Sequence, residues 1–158
     1  MNVHNRWYEE TASTINSYQI SLGKKDRKKY KLDLLLGLTR RIADFPPECG
    51  ECQLFQQEIT TIVKELGNLA YLPKQASKQA HKRYFKTISQ ITKHLQKKHK
   101  LVTEKQHFGI WIGIGMAIGG ALGTALKNPG IGTAIGIALG LAIGSYLDRK
   151  AREEGRVI

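Results

Sequence analysis

The last third of the chain, Phe108 to Leu147, constrains the fold more than any other stretch. It reads FGIWIGIGMAIGGALGTALKNPGIGTAIGIALGLAIGSYL. Two apolar segments, 108–126 and 131–147, flank a break at Lys127, Asn128, Pro129 and Gly130 (turn 127–130), and neither segment holds a charged residue. As helices they span about 28 Å and 26 Å, short but sufficient for a hydrocarbon core of about 30 Å. Pro129 cannot continue a helix and Gly130 accepts turn geometry, so the break predicts a tight hairpin.

Glycine recurs along both segments at every fourth residue. Gly132, Gly136, Gly140 and Gly144 form one run; Gly115, Gly119 and Gly123 form the other, preceded by Gly109 and Gly113. Small residues four apart share one helix face and let two backbones approach closely, which lipid offers no hydrophobic force to do instead. Isoleucine and leucine fill the remaining faces, which predicts that they meet lipid. Only Thr124, Thr133 and Ser145 could line a hydrated path.

This stretch, Gly109 to Gly144, resembles the glycine-zipper two-transmembrane-helix proteins, a loose bacterial group. The resemblance implies a compact membrane hairpin and oligomerisation, and carries no catalytic residues with it. Flanking charge sets the orientation. Lys97, Lys98, Lys100 and Lys105 precede the hairpin, Arg149, Lys150 and Arg152 follow it, and the turn holds only Lys127. The excess of positive residues predicts both termini on the cytoplasmic side of the inner membrane, with Trp111 and Tyr146 near the two cytoplasmic ends. Residues 1–14 contain no apolar stretch of the signal-peptide kind, which also places the front of the chain in the cytosol.

Ahead of the hairpin lies a polar, basic domain, residues 1–106, with 20 Lys and Arg against 10 Asp and Glu. Its apolar residues recur with helical spacing throughout, and no alternating strand pattern is present. Trp7, Thr11, Ile15, Tyr18 and Leu22 mark one helix over 5–22, stopped at Gly23. A second, over 26–44 with Asp26 as N-cap, carries Tyr30, Leu34, Leu35, Leu38 and Ile42, and ends at Phe45 before Pro46 and Pro47. A third, over 47–68, opens on Pro47 and carries Cys52, Phe55, Ile59, Ile62 and Leu66. After a short apolar connection, 69–73, a fourth helix runs from Lys74 to about Lys105. It carries Ala80, Tyr84, Ile88, Ile91, Leu95 and Val102, and continues into the first membrane helix with little or no break. The expected architecture is all-α: a bundle of about four helices (1–106), a transmembrane glycine-zipper hairpin (107–148) and a short charged cytoplasmic tail (149–158).

Cys49 and Cys52 form a lone C-x-x-C. Two thiolates at this spacing make half of a tetrahedral zinc site, or a redox pair whose thiol pKa the start of a helix would lower. The zinc reading needs two more ligands. His94 and His99, five apart, diverge by about 140° on a straight helix, leaving His81 or a second subunit to contribute. The redox reading lacks its usual β-α-β setting. The plain alternative is that Cys52 packs in the core and Cys49 has no role.

Two basic runs remain: Lys24, Lys25, Arg27, Lys28, Lys29 and Lys31, then Lys93, Lys97, Lys98 and Lys100. The second lies just before the membrane segment, where each positive residue attracts anionic lipid head groups by about 1 kcal/mol. Nucleic acid is the less favoured partner, because Tyr30 alone offers an aromatic face for stacking. There is no phosphate-binding loop and no Ser-His-Asp arrangement, so an enzyme is not expected. The sequence points to a non-enzymatic, membrane-anchored interaction or adaptor protein. It is expected to self-associate through its glycine faces and to bind a further cytoplasmic protein. The competing readings are a membrane-active, pore-forming or toxin-like protein, and a zinc- or thiol-dependent regulator using Cys49 and Cys52.

Overall fold

The computed structural model describes residues 3–45, 48–68 and 74–158, with the backbone alone at 3–5 and 74–77. The expectations placed on Pro46, Pro47 and the connection 69–73 lie outside the described residues. The chain divides into two compact units, Met1–His99 and Lys100–Ile158. Among the described residues all regular structure is helical: α1 (Val3–Ser21), α2 (Lys24–Lys29), α3 (Leu32–Asp44), α4 (Gly50–Leu66) and α5 (Lys74–Lys98) in the front unit, α6 (Gln106–Ala125) and α7 (Pro129–Glu153) in the hairpin unit.

In the front unit α3 is the element around which the others gather; α1, α2, α4 and α5 all pack on it. Leu32, Leu35, Leu38 and Ile42 of α3 are fully buried, together with Ile15 of α1, Cys52 and Ile59 of α4, and Ile91 and Leu95 of α5. These are largely the residues whose 3–4 spacing marked the stripes. Each such aliphatic side chain contributes about 1.5–3 kcal/mol by leaving water. The Trp7 indole N–H donates to Thr60 Oγ1 at 3.0 Å, fixing α1 on α4.

The helix expected over 26–44 is two helices. Gly23, rather than Asp26, is the N-cap of α2, and Lys31 adopts a left-handed conformation (φ 50°) between α2 and α3. The break has a packing reason. It takes the Tyr30 carbonyl out of the helical ladder, where it accepts the Tyr84 hydroxyl of α5 at 2.7 Å. It also lets Tyr30 and Leu32 both be buried.

The fourth expected helix ends at Lys98 and does not continue into the membrane segment. Lys100 and Lys105 both take positive φ (56° and 58°). Between them Val102 pairs in parallel with the chain end. Its N–H donates to the Arg156 carbonyl at 2.8 Å and its carbonyl accepts from Ile158 N–H at 2.9 Å. A residue committed to that pairing cannot also sit in a helical ladder. The segment 149–158, expected as a tail, completes α7, turns at Gly155 (φ 65°) and returns beside Val102. The unit therefore begins at Lys100 and uses the chain end to hold its entry.

At the hairpin turn Asn128 is the N-cap of α7. Its side chain accepts the Ile131 N–H at 3.2 Å, and Pro129 follows in the first turn, where a missing N–H is harmless.

Candidate functional site

The two hairpin helices lie antiparallel with their glycine runs face to face. A methyl group on Gly136 would strike the Gly115 carbonyl, 2.9 Å from its carbon and from the Gly119 Cα. One on Gly144 would lie 2.7 Å from the Phe108 Cα, and one on Gly123 would lie 2.9 Å from the Gly132 Cα. Gly119 meets Gly132 in the same way, and Gly140 meets the Trp111 carbonyl. Every obstacle is backbone, which cannot rotate aside. Backbone-to-backbone contact along the whole interface is the packing that membrane helices use in place of a hydrophobic drive.

Gly109 and Gly113 take no part: a methyl group at either meets open space. They share the four-residue spacing of the first run but not its face. The structural run is instead Gly115, Gly119 and Gly123, offset by two positions from Gly113. Outside the seam, Ile110, Ile114, Ile118, Leu122, Ile131, Ile135, Leu139 and Ile143 are exposed. Only 11% and 17% of the two apolar windows is buried within the molecule. A core helix of a soluble protein would be mostly covered, so these surfaces suit lipid.

A closely packed pair of apolar helices, each long enough to cross a bilayer, defines this unit as a membrane hairpin. Residues 102–150 match the family described as glycine zipper membrane protein. No curated protein and no solved structure matches the chain. The front unit has no family match.

In the front unit the C-x-x-C pair is joined by both histidines. Cys49 is the N-cap of α4 and Cys52 lies in its first turn. One ligand atom from each of Cys49, Cys52, His94 and His99 lies within 4.8 Å of every other. His94 Nε2 is 3.5 Å from Cys49 Sγ and 3.3 Å from Cys52 Sγ, and His99 Nε2 is 3.3 Å from Cys52 Sγ. The expected divergence does not keep the two histidines apart: the His99 N–H still bonds the Leu95 carbonyl at 3.1 Å, as in a helix, yet both imidazoles reach the cysteines of α4. His81, the other ligand considered, faces Tyr30 instead, with its Nε2 3.1 Å from the hydroxyl.

Three contacts hold the imidazoles in place. His94 Nδ1 lies 3.0 Å from a Glu51 carboxylate oxygen. The His99 ring stacks on Phe45 with centroids 3.8 Å apart, and Phe55 packs against His94 at 5.2 Å. Burial pushes the Cys52 thiol up to about 12, aided by the hydrogen bond and charge of Cys49 and by the Glu51 carboxylate. The lowering expected from the helix start is outweighed for Cys52. His99 is held below the usual imidazole value, first by burial, then by His94 and Lys98 beside it.

Glu51, His94 and His99 were not assigned to the site on sequence grounds. A signal was present: His94 and His99 have the H-x4-H spacing typical of zinc ligands, following a C-x2-C. The divergence of about 140° expected on a straight helix concealed it. The basic residues Lys24, Lys25, Arg27, Lys28, Lys29 and Lys31 are exposed on α2 and at its end, and Lys93, Lys97 and Lys98 are exposed on α5. Lys100 belongs to the hairpin unit.

Proposed function

We propose that this protein is a non-enzymatic, membrane-anchored interaction module, its hairpin crossing the inner membrane with both termini cytoplasmic. The observation that carries this is the glycine seam with its outer surface of isoleucine and leucine. Seven glycines meet backbone within one chain, so the hairpin is a rigid anchor complete in itself. Self-association would need another face, with Gly109 and Gly113 or the aliphatic surface as the available choices. The groove between the helices is lined by apolar side chains and glycine alone. That argues against a water-filled path and for an anchor over a pore.

The positive residues at both ends of the hairpin, against a turn holding only Lys127, support the cytoplasmic orientation. The same residues would draw the hairpin ends to anionic head groups. Membrane fractions washed with high salt and then with alkaline carbonate test the anchor: the protein should stay in the pellet through both washes. A cysteine placed at Asn128, in a chain with Cys49 and Cys52 replaced by serine, tests the orientation. It should react with an impermeant maleimide from the outer side of intact spheroplasts. Release into the carbonate supernatant, or labelling only after lysis, would overturn the corresponding half of the reading.

A further inference from the structure

Cys49, Cys52, His94 and His99 come from two helices far apart in sequence, yet their ligand atoms converge on one point. We propose that they form a structural zinc site of the Cys2His2 type, with Glu51 as the outer partner of His94.

The spacing of the donors fits the metal. With zinc at about 2.3 Å from sulfur and about 2.05 Å from nitrogen, tetrahedral geometry puts each S···N edge at about 3.6 Å. Three of the four S···N edges in the structure are 3.3, 3.3 and 3.5 Å, and every pair of ligand atoms lies within 4.8 Å. As hydrogen bonds these contacts rely on weak sulfur donors and on a shared acceptor. Cys52 Sγ faces two imidazole nitrogens, and a thiol has one proton to give. His94 Nε2 likewise faces two sulfurs. A shared central cation satisfies all of them at once.

The orientation of His94 is the second argument. Glu51 takes the Nδ1 side at 3.0 Å, which fixes the proton on Nδ1 and leaves the Nε2 lone pair directed at the sulfurs. A carboxylate behind a ligating imidazole is the usual outer partner in zinc sites. Charge balance is the third. Two thiolates and two neutral imidazoles around Zn2+ sum to zero, so the complex suits a pocket where Cys49 and Cys52 are buried and the His94 side chain is 8% exposed.

All four positions of the tetrahedron are protein ligands, which leaves none for water or substrate and makes the site structural rather than catalytic. Its place in the chain gives it a role. Cys49 begins α4, and His99 is the last residue of the front unit. Zinc would therefore lock the start of α4 to the exit of α5, the point at which the chain leaves for the hairpin.

The test uses the full chain in detergent micelles. Protein purified under reducing conditions should carry one zinc per chain by elemental analysis. After removal of zinc, cobalt(II) should produce the visible absorption of a tetrahedral site with a thiolate charge-transfer band. Cys52→Ser and the double variant His94→Gln/His99→Gln should lose that spectrum. Glu51→Gln, at a mostly exposed side chain, should keep it while binding zinc 10–100-fold more weakly. The proposal is overturned by reduced protein that gives no tetrahedral cobalt spectrum. It is also overturned by zinc content unchanged in the His94→Gln/His99→Gln variant, or by a Cys49–Cys52 disulfide as the form isolated without oxidant.

Discussion

The Asp148 carboxylate, near the end of α7, accepts the backbone N–H of Phe108 in the first turn of α6 at 3.0 Å. Its other oxygen accepts the His107 N–H at 3.0 Å and lies 3.0 Å from His107 Nδ1. The first N–H groups of a helix lack intrahelical partners, and here a side chain of the neighbouring helix supplies them. A negative charge at that end also suits the helix dipole. Asp148 is buried, so its removal leaves these donors with little access to water. Asp148→Ala should weaken closure of the hairpin by about 1–3 kcal/mol. Asp148→Asn, which keeps one acceptor oxygen, should lose less. With Trp7 replaced by phenylalanine, Trp111 is the single tryptophan reporter for the hairpin. Its fluorescence during a titration from mild detergent into SDS gives the shift in midpoint.

The glycine seam predicts a sharp contrast between residues of identical type. Gly136→Ala adds a methyl group against the Gly115 carbonyl and the Gly119 Cα, and neither can move without separating the helices. Overpacking of this kind costs about 1–3 kcal/mol. Gly113→Ala meets open space and raises helix propensity, so it should be neutral or slightly stabilising. Equal SDS midpoints for the two variants would show that the seam does not hold the hairpin closed.

Much of this architecture is legible in the chain, and the parts that are not have a common cause. Periodicity finds Leu35, Leu38, Ile42, Ile59 and Ile91 because a helix repeats its face regularly and the core rewards that repeat. The four-residue glycine spacing finds the hairpin for the same reason. Spacing alone does not say which glycine faces the partner, so Gly109 and Gly113 read the same as Gly115. Non-local events are where the sequence is silent. The left-handed break at Lys31 answers to Tyr84 on another helix, and the end of α5 before His99 goes with the pairing of Val102 and the chain terminus. The convergence of His94 and His99 is non-local in the same way: both imidazoles reach Cys52 on α4, a meeting point that the angle between them on their own helix does not reveal.

Zinc uptake should release protons, with a sign fixed by the metal-free state. Cys52, pushed up to about 12, is a thiol at neutral pH and must lose its proton to bind zinc. It contributes about tenfold weaker zinc affinity for each pH unit of acidification. His99, held below its usual value of 6.5, is already neutral at pH 7 and adds no proton there. Its depressed value also means that the unfolded chain binds a proton first on acidification. Stability from this residue is therefore present above about pH 6.5 and lost as pH falls through its lower folded value. Titration calorimetry at pH 7.5 in buffers of different ionisation heat should show net proton release. Proton uptake, or none, would contradict the assignment of Cys52 as a ligand.

Removing zinc should soften the front unit and leave the hairpin unchanged. A ligand that binds only the folded state stabilises it by about 2.7 kcal/mol at one hundred times its Kd. For a domain of about 100 residues each kcal/mol moves Tm by about 4–8 °C, so chelation should lower the front transition by roughly 10–20 °C. The two tryptophans, one in each unit, separate the responses. Trp7 reports on the front unit through its bond to Thr60 on α4, the helix that Cys49 and Cys52 begin. In a Trp111→Phe chain, EDTA should bring the Trp7 transition to lower temperature and added zinc should restore it. In a Trp7→Phe chain, the Trp111 transition should be indifferent to both. A Trp7 transition that ignores EDTA would remove zinc from the fold, and a Trp111 transition that follows it would place the metal's effect in the wrong unit.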